Sequence, residues 1–272
     1  ISSREPGTVV GTRRGSPLLL GVGGEGSGKG ENFLASDTSA LLQVTKHVIY
    51  LEEGDLATLT CNGYTIRDAA GNVVMRPVVE SQLSADAVEL GNYDHYMQKE
   101  IFEQPRAVAD TLLGRTNELG EIVLDEIRIS PEELRSINKI VIVACGTAFY
   151  AGLVAKYAIE HWTRVPCEVE LASEFRYRDP IIDPTTLVVT ISQSGETADT
   201  LMAIRHAREQ HAKVVAICNT NGATIPRESD AVIYTHAGPE IGVASTKGFT
   251  TQLIACYLLG LYLAQVRGTK YA

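Results

Sequence analysis

The segment Ser192-Gln193-Ser194-Gly195-Glu196-Thr197 sets three hydroxyls around one glycine, directly after the apolar run Val188-Val189-Thr190-Ile191. That pattern suits the binding of a phosphate. A helix that starts after such a turn has backbone N–H groups without intrahelical partners and a partial positive charge, so an anion placed there is stabilised by both. Gly195 permits close approach of the backbone, and the hydroxyls add donors. The plainer reading is that one serine simply N-caps the helix. Three hydroxyls at the carboxyl end of a strand favour the phosphate, because open α/β sheets bind their ligands there.

Two further turns repeat the theme. Cys145-Gly146-Thr147-Ala148 follows the run Ile140 to Ala144, and Gly242-Val243-Ala244-Ser245-Thr246-Lys247 opens the last apolar stretch. Each puts a glycine and at least one hydroxyl at a predicted helix start. Together they suit a ligand rich in hydroxyls that carries a phosphate, and a sugar phosphate fits. Cys145 reads equally as a small buried thiol or as a residue lining the site. Lys247 reads as a solvated helix residue, since a catalytic lysine would need desolvation. Glu174, Arg176, Tyr177 and Arg178 read as salt-bridged surface, and the six histidines show no metal-ligand spacing. The run Gly23-Gly24-Glu25-Gly26-Ser27-Gly28-Lys29-Gly30 approaches a P-loop, but Gly30 stands where Ser or Thr would hold magnesium. Glu31 to Ser36 then reads as strand or turn, so the run is expected to be a flexible glycine-rich hairpin loop.

The elements that must position these turns alternate as βαβ after Ile137. Strands are predicted at Ile140–Ala144, Cys167–Leu171, Thr186–Ile191, Val214–Cys218 and Ala231–Thr235, with helices at Phe149–His161, Glu196–Gln210 and Thr246–Gln265. Such alternation implies α/β architecture: a doubly wound parallel sheet covered by helices on both faces. From Ser16 to about Val79 the pattern is antiparallel β instead. Strands are predicted at Leu18–Val22, His47–Leu51, Ala57–Cys61, Tyr64–Arg67 and Val73–Val79, with a short helix near Ser39 to Gln43 and turns at Asn62-Gly63 and Gly71-Asn72. From Ser81 to Leu119 a connecting segment leads into a helix marked by Tyr96, Ile101, Val108 and Leu112. The domain reading is therefore residues 1–80, a linker and connecting helix over 81–136, and a sugar-phosphate domain over 137–272.

With 21% charged and 44% hydrophobic residues and a formal charge of -9, the chain reads as a globular protein with ample core, and its acidity argues against nucleic-acid or anionic-membrane binding. The five cysteines show no metal-ligand spacing and read as reduced, buried thiols of a cytoplasmic protein. The longest apolar run, Leu253 to Ala264, is too short to span a bilayer and reads as a core or interface helix. The chain starts at Ile1 in loop-like sequence and stops just after a helix, so a fragment of something longer is expected.

The motifs together resemble a family. Cys145-Gly146-Thr147, Ser192 to Thr197, Ile217-Cys218-Asn219, Ala172-Ser173-Glu174-Phe175-Arg176-Tyr177-Arg178 and Glu240 to Lys247 are similar to the first sugar isomerase (SIS) domain of the glutamine:fructose-6-phosphate aminotransferases. Upstream, Gly15-Ser16-Pro17-Leu18, Gly30 to Asp37 and Leu51-Glu52-Glu53-Gly54-Asp55 resemble the later half of that family's glutaminase domain, and Tyr96 to Pro105 its interdomain segment. The resemblance implies a flavodoxin-like SIS domain preceded by part of an Ntn-hydrolase-like domain. It also implies conversion of fructose 6-phosphate to glucosamine 6-phosphate with ammonia from glutamine, in a homodimer without metal or organic cofactor. By matched position, Cys145, Gly146, Thr147, Ser192, Gln193, Ser194, Thr197, Val243 and Ser245 would bind the sugar phosphate. Two departures are Ala148, where the family usually carries Ser, and Gly248, where Ala is usual and Gly costs about 1 kcal/mol of helix propensity. The resemblance assigns the glutaminase nucleophile to an N-terminal cysteine, and the acid/base glutamate and Schiff-base lysine to a second SIS domain. This chain is thus expected to bind but not turn over, a catalytic residue being absent from its span. A non-catalytic SIS module that senses a phosphosugar is the alternative.

Overall fold

β-Branched runs bounded by turn residues organise the first part of the chain into two antiparallel sheets. The computed structural model describes residues 1–15, 17–23, 30–42, 44–81 and 89–269. They form two compact units, Ile1–Gly91 and Asn92–Ala272. In the first, β1 (Thr8–Thr12), β5 (Leu56–Thr60), β6 (Gly63–Arg67) and β7 (Val73–Val74) make one sheet in the order β1-β5-β6-β7. The other runs β3-β2-β4-β8, from β3 (Asn32–Ala35), β2 (Leu19–Val22), β4 (His47–Tyr50) and β8 (Val79–Glu80). Leu20 and Ile49 of one sheet pack with Ala57, Leu59 and Ile66 of the other, so the core of this unit lies between the sheets. Asp55, fully buried, accepts two bonds from Arg76, at 3.0 Å from Nε and 2.9 Å from Nη2, and a third from the Glu52 N–H at 2.8 Å. That pairing is what lets a carboxylate sit inside.

The sequence reading holds for the hairpins but not for one long strand over Val73–Val79. That stretch is two short strands in different sheets, because Pro77 between them has no N–H to give a ladder. The predicted short helix is a 3-10 turn at Thr38–Leu41, and β1 carried no signal strong enough to be read. The glycine-rich run Gly24–Lys29 lies outside the described residues.

The second unit is the predicted α/β layer structure. Its helices are α1 (Tyr96–Leu112), α2 (Pro131–Ser136), α3 (Gly146–Thr163), α4 (Ala172–Tyr177), α5 (Ala198–Glu209), α6 (Thr224–Glu228) and α7 (Lys247–Arg267). Strands β9 (Lys139–Ala144), β10 (Cys167–Leu171), β11 (Thr186–Ser192), β12 (Lys213–Cys218) and β13 (Ala231–Tyr234) pair in the order β10-β9-β11-β12-β13, all parallel. Alternate residues face opposite layers. Ile140, Ile142, Leu187, Val189 and Ile217 pack with α3 and α7, whereas Val141, Val143, Val188, Val214 and Ala216 pack with α4, α5 and α6. As a helix α7 reaches 21 residues, long and apolar enough to cross a bilayer, but Ala255, Cys256, Leu259 and Leu263 are in the core against the sheet. The short helices α2, α4 and α6 were not predicted. For α2 a signal was present in Ser130-Pro131-Glu132-Glu133, which forms a capping box: the Glu133 N–H donates to Ser130 Oγ at 3.2 Å, and Glu133 Oε2 accepts from the Ser130 N–H at 3.0 Å.

Helix α1 differs from its prediction in the face it buries. Ile101 and Leu112 are 44% exposed each, and Glu100, Ala107 and Thr111 are the buried residues. The reason is the partner, a polar loop and the start of α7 rather than an apolar surface. Pro105 within α1 cannot donate to the Ile101 carbonyl, and Gln104 Nε2 donates to that oxygen instead, at 3.1 Å.

Gly152 in α3 sets how closely that helix lies on the sheet. A Cβ there would meet Ile142 Cγ2 at 2.9 Å and Val169 Cγ1 at 3.1 Å. Gly152→Val should therefore destabilise the protein by about 1–3 kcal/mol through overpacking, whereas Tyr157→Ala, on the exposed side of the same helix, should stay within about 0.5 kcal/mol. Urea denaturation of the two variants compares them directly.

Candidate functional site

The strand order fixes where a crevice opens. From β9 the chain crosses through α3 to β10 on one side, and from β11 it crosses through α5 to β12 on the other, so the turns after β9 and β11 diverge. A ligand in an open α/β sheet binds at such a switch point. Ala144 is in register with Ile191, and Ser192 with Cys218. Cys145, half-buried, packs against the same layer as Val143, and by alternation Ser192 and Cys218 face that layer too. Residues 145–147 and 192–197 thus flank one gap.

Ser192 is 4% exposed, and its Oγ accepts from the Gly195 N–H at 3.0 Å and lies 3.3 Å from Thr197 Oγ1. Ser194 Oγ accepts from the Glu196 N–H at 3.2 Å. Both serines therefore close the turn on itself and do not cap α5. Gly195 has φ of 70°, and a Cβ there would lie 2.6 Å from Ala223 Cβ and 2.8 Å from Cys218 Sγ, so only glycine fits on both counts. Burial pushes the Cys218 thiol up to about 12, which keeps it neutral and makes it a packing group beneath the turn. Glu196 is turned away: its Oε1 accepts from the Thr224 N–H at 2.9 Å and Thr224 Oγ1 at 3.1 Å, fastening the turn to α6. Thr197 and Cys145 stand at the N-cap positions of α5 and α3, and neither side chain caps its helix. Both helix starts thus lack a side-chain cap, and Gly146 and Thr147 at the start of α3 are exposed.

The third turn behaves differently from its prediction as an equivalent site. Glu240 Oε1 accepts from the N–H groups of Thr246, at 2.7 Å, and Gly248, at 2.9 Å, and its Oε2 accepts from Ser245 Oγ at 2.9 Å. The start of α7 is thus filled by the chain's own carboxylate. A Cβ at position 248 would overlap Glu240 Oε2, so the glycine read as a loss of helix propensity is the residue that admits this carboxylate. Glu100 of α1, 2% exposed, accepts from the N–H groups of Ile241 and Gly242 at 2.5 and 3.0 Å. Lys247 is not solvated as its type suggested. It is 3% exposed and donates to Glu103 Oε2 at 2.6 Å. The loop that these contacts hold presents Val243, fully exposed, and Ser245, half-buried.

The cluster after β10 is the ion-paired surface expected of it. Arg178 pairs with Glu170, and Arg176 lies 3.2 Å from Asp199 and 4.9 Å from the centre of the Tyr177 ring. The contacts that sequence reasoning missed are those of Glu100, Glu196 and Asn219, whose partners lie on other segments, and of Glu240, whose partners are in its own loop and the start of α7. The sequence offers no spacing that would reveal them.

Residues 133–262 match the SIS domain. Over 272 residues the chain is 58% identical to the glutamine--fructose-6-phosphate aminotransferase [isomerizing] of Corynebacterium diphtheriae, aligning 100% of this chain with 43% of that protein. It is 61% identical over 266 residues to the protein of the same name from Streptomyces coelicolor, aligning 98% of this chain with 42% of that one. The C-terminal domain of glucosamine-fructose-6-phosphate aminotransferase from Francisella tularensis superposes with a TM-score of 0.62 at 48% identity, covering 65% of this chain and 50% of that chain. The chain spans less than half the length of these two relatives, and its resemblance to them runs from end to end.

The turn itself makes a prediction. Ser192→Ala should cost about 1–3 kcal/mol of stability, because the buried Gly195 N–H loses its acceptor, whereas Thr197→Val should change stability by less than about 0.5 kcal/mol. Equal urea midpoints for the two variants would show that the Ser192 bond does not hold the turn.

Proposed function

We propose that this chain supplies the fructose 6-phosphate site of a glutamine-dependent enzyme that makes glucosamine 6-phosphate. The observation that carries this reading is the turn Ser192 to Thr197, closed by its own serines and set before the uncapped start of α5 at the switch point of the sheet. A phosphate seated there would receive helix N–H groups and the Thr197 hydroxyl. Cys145, Gly146 and Thr147 would border the sugar from the start of α3. Gln193 and Ser194 would meet it from the turn. Val243 and Ser245 would approach from the loop before α7. Ser245 Oγ already donates to Glu240 and accepts from the Phe249 N–H at 3.1 Å, so it would offer a sugar hydroxyl an acceptor lone pair.

This chain's part in the reaction is holding and orienting the phosphosugar. Proton transfer at C1 and C2 and attachment of the amine need positioned acid/base and lysine groups, which the family resemblance puts in a second SIS domain. The first unit, with two antiparallel sheets packed face to face, is read as the later part of an Ntn-hydrolase-like glutaminase domain. Under this reading glutamine is the nitrogen donor of the whole protein, and a second copy of the chain is its partner.

Isothermal titration with fructose 6-phosphate tests the reading. Binding is expected, with inorganic phosphate competing, and Thr197→Val should weaken it by about 1–3 kcal/mol. The sugar phosphate should also slow alkylation of Cys145. Failure of fructose 6-phosphate to bind, or binding of ATP with magnesium in its place, would overturn the function. Unchanged affinity in Thr197→Val would move the phosphate elsewhere.

A further inference from the structure

Asn219 belongs to a motif that the sugar-phosphate reading leaves without a role. It follows β12 directly, one residue after Cys218, the register partner of Ser192. Its backbone N–H donates to the Gln193 carbonyl, at 3.3 Å, within the phosphate turn. Its side chain points the other way in function. Nδ2 donates to the Gly238 carbonyl at 2.7 Å, and Oδ1 accepts from Thr235 Oγ1 at 2.9 Å and the Ala237 N–H at 2.8 Å. One residue therefore bonds both the turn at 192–197 and the segment that leads into the loop bearing Val243 and Ser245.

The segment it holds has an uncommon backbone. His236 has φ of 51° and Gly238 φ of 72°, so two residues of this short segment lie in the left-handed region, which is uncommon for a residue with a side chain. Asn219 holds the segment on either side of His236, at Thr235 before it and at Ala237 and Gly238 after it. Only an amide can serve here, since donor and acceptor are both used. The far end of the loop is fixed separately, by Glu100 and Glu240.

We propose that Asn219 is a positioning residue that couples the phosphate turn to the loop Gly238–Thr246, so that filling the turn orders the loop over the sugar. The proposal rests on the sugar-phosphate reading of the turn. It requires that phosphate alone senses only the turn, while the whole phosphosugar senses both segments. Loss of the Asn219 side chain then separates the two responses.

Hydrogen exchange and titration on the full chain test it. In the unsubstituted protein, fructose 6-phosphate should slow amide exchange over both 192–197 and 238–246. In Asn219→Ala the first protection should persist and the second disappear. Affinity for inorganic phosphate should then stay within about twofold, and that for fructose 6-phosphate should fall roughly five- to tenfold. Thr235→Val, which removes one bond to Oδ1 and keeps the side-chain shape, should act in the same direction more weakly and add nothing to Asn219→Ala; it carries the test alone should Asn219→Ala not fold. Protection of 238–246 that is missing in the unsubstituted protein, or retained in the variants, overturns the coupling. Missing protection of 192–197 in the unsubstituted protein overturns the sugar-phosphate reading itself.

Discussion

A parallel sheet aims the N-termini of its crossover helices at one edge, and the N–H groups they expose there must find acceptors. The arrangement of the second unit follows from how this demand is met. At α7 the acceptor is Glu240, at the start of α6 it is Glu196, and at the loop before α7 it is Glu100. At α3 and α5 no capping side chain is present. The edge thus holds two helix starts that the chain closes with its own carboxylates, at α6 and α7, and three without a side-chain cap, at α3, α4 and α5, of which α3 and α5 flank the switch point.

The same demand explains why α1 is held by polar contacts. Glu100, Glu103 and Gln104 bond the loop and the first turns of α7, and Thr111 Oγ1 donates to the Thr235 carbonyl at 2.5 Å. A carboxylate as buried as Glu100 is tolerable because two backbone N–H groups meet it. The helix and the loop stabilise one another, since each satisfies groups the other would leave buried and unpaired.

The layered second unit was legible because its signals are local. Cys167–Leu171 was read with its observed bounds, and Thr186–Ile191 ends one residue further on, at Ser192. Strand runs, their order of alternation with helices and the hydroxyl-rich turn all lie in short windows of sequence. What escaped reading depends on partners far along the chain. Lys247 looks like any surface lysine until Glu103, on another helix, is beside it. The buried face of α1 contradicts its apolar spacing because the surface it meets is polar. Val73–Val79 is locally one run, and only the two sheets competing for its ends divide it at Pro77.

Gly248 and Glu240 share one volume: where the first has no side chain, the second has its carboxylate. An alanine at 248 would place a Cβ against Glu240 Oε2, and that carboxylate, the free end of a flexible side chain, would have to shift to admit it. The effect of a side chain at 248 therefore depends on the acid at 240, and the two substitutions are expected to be non-additive.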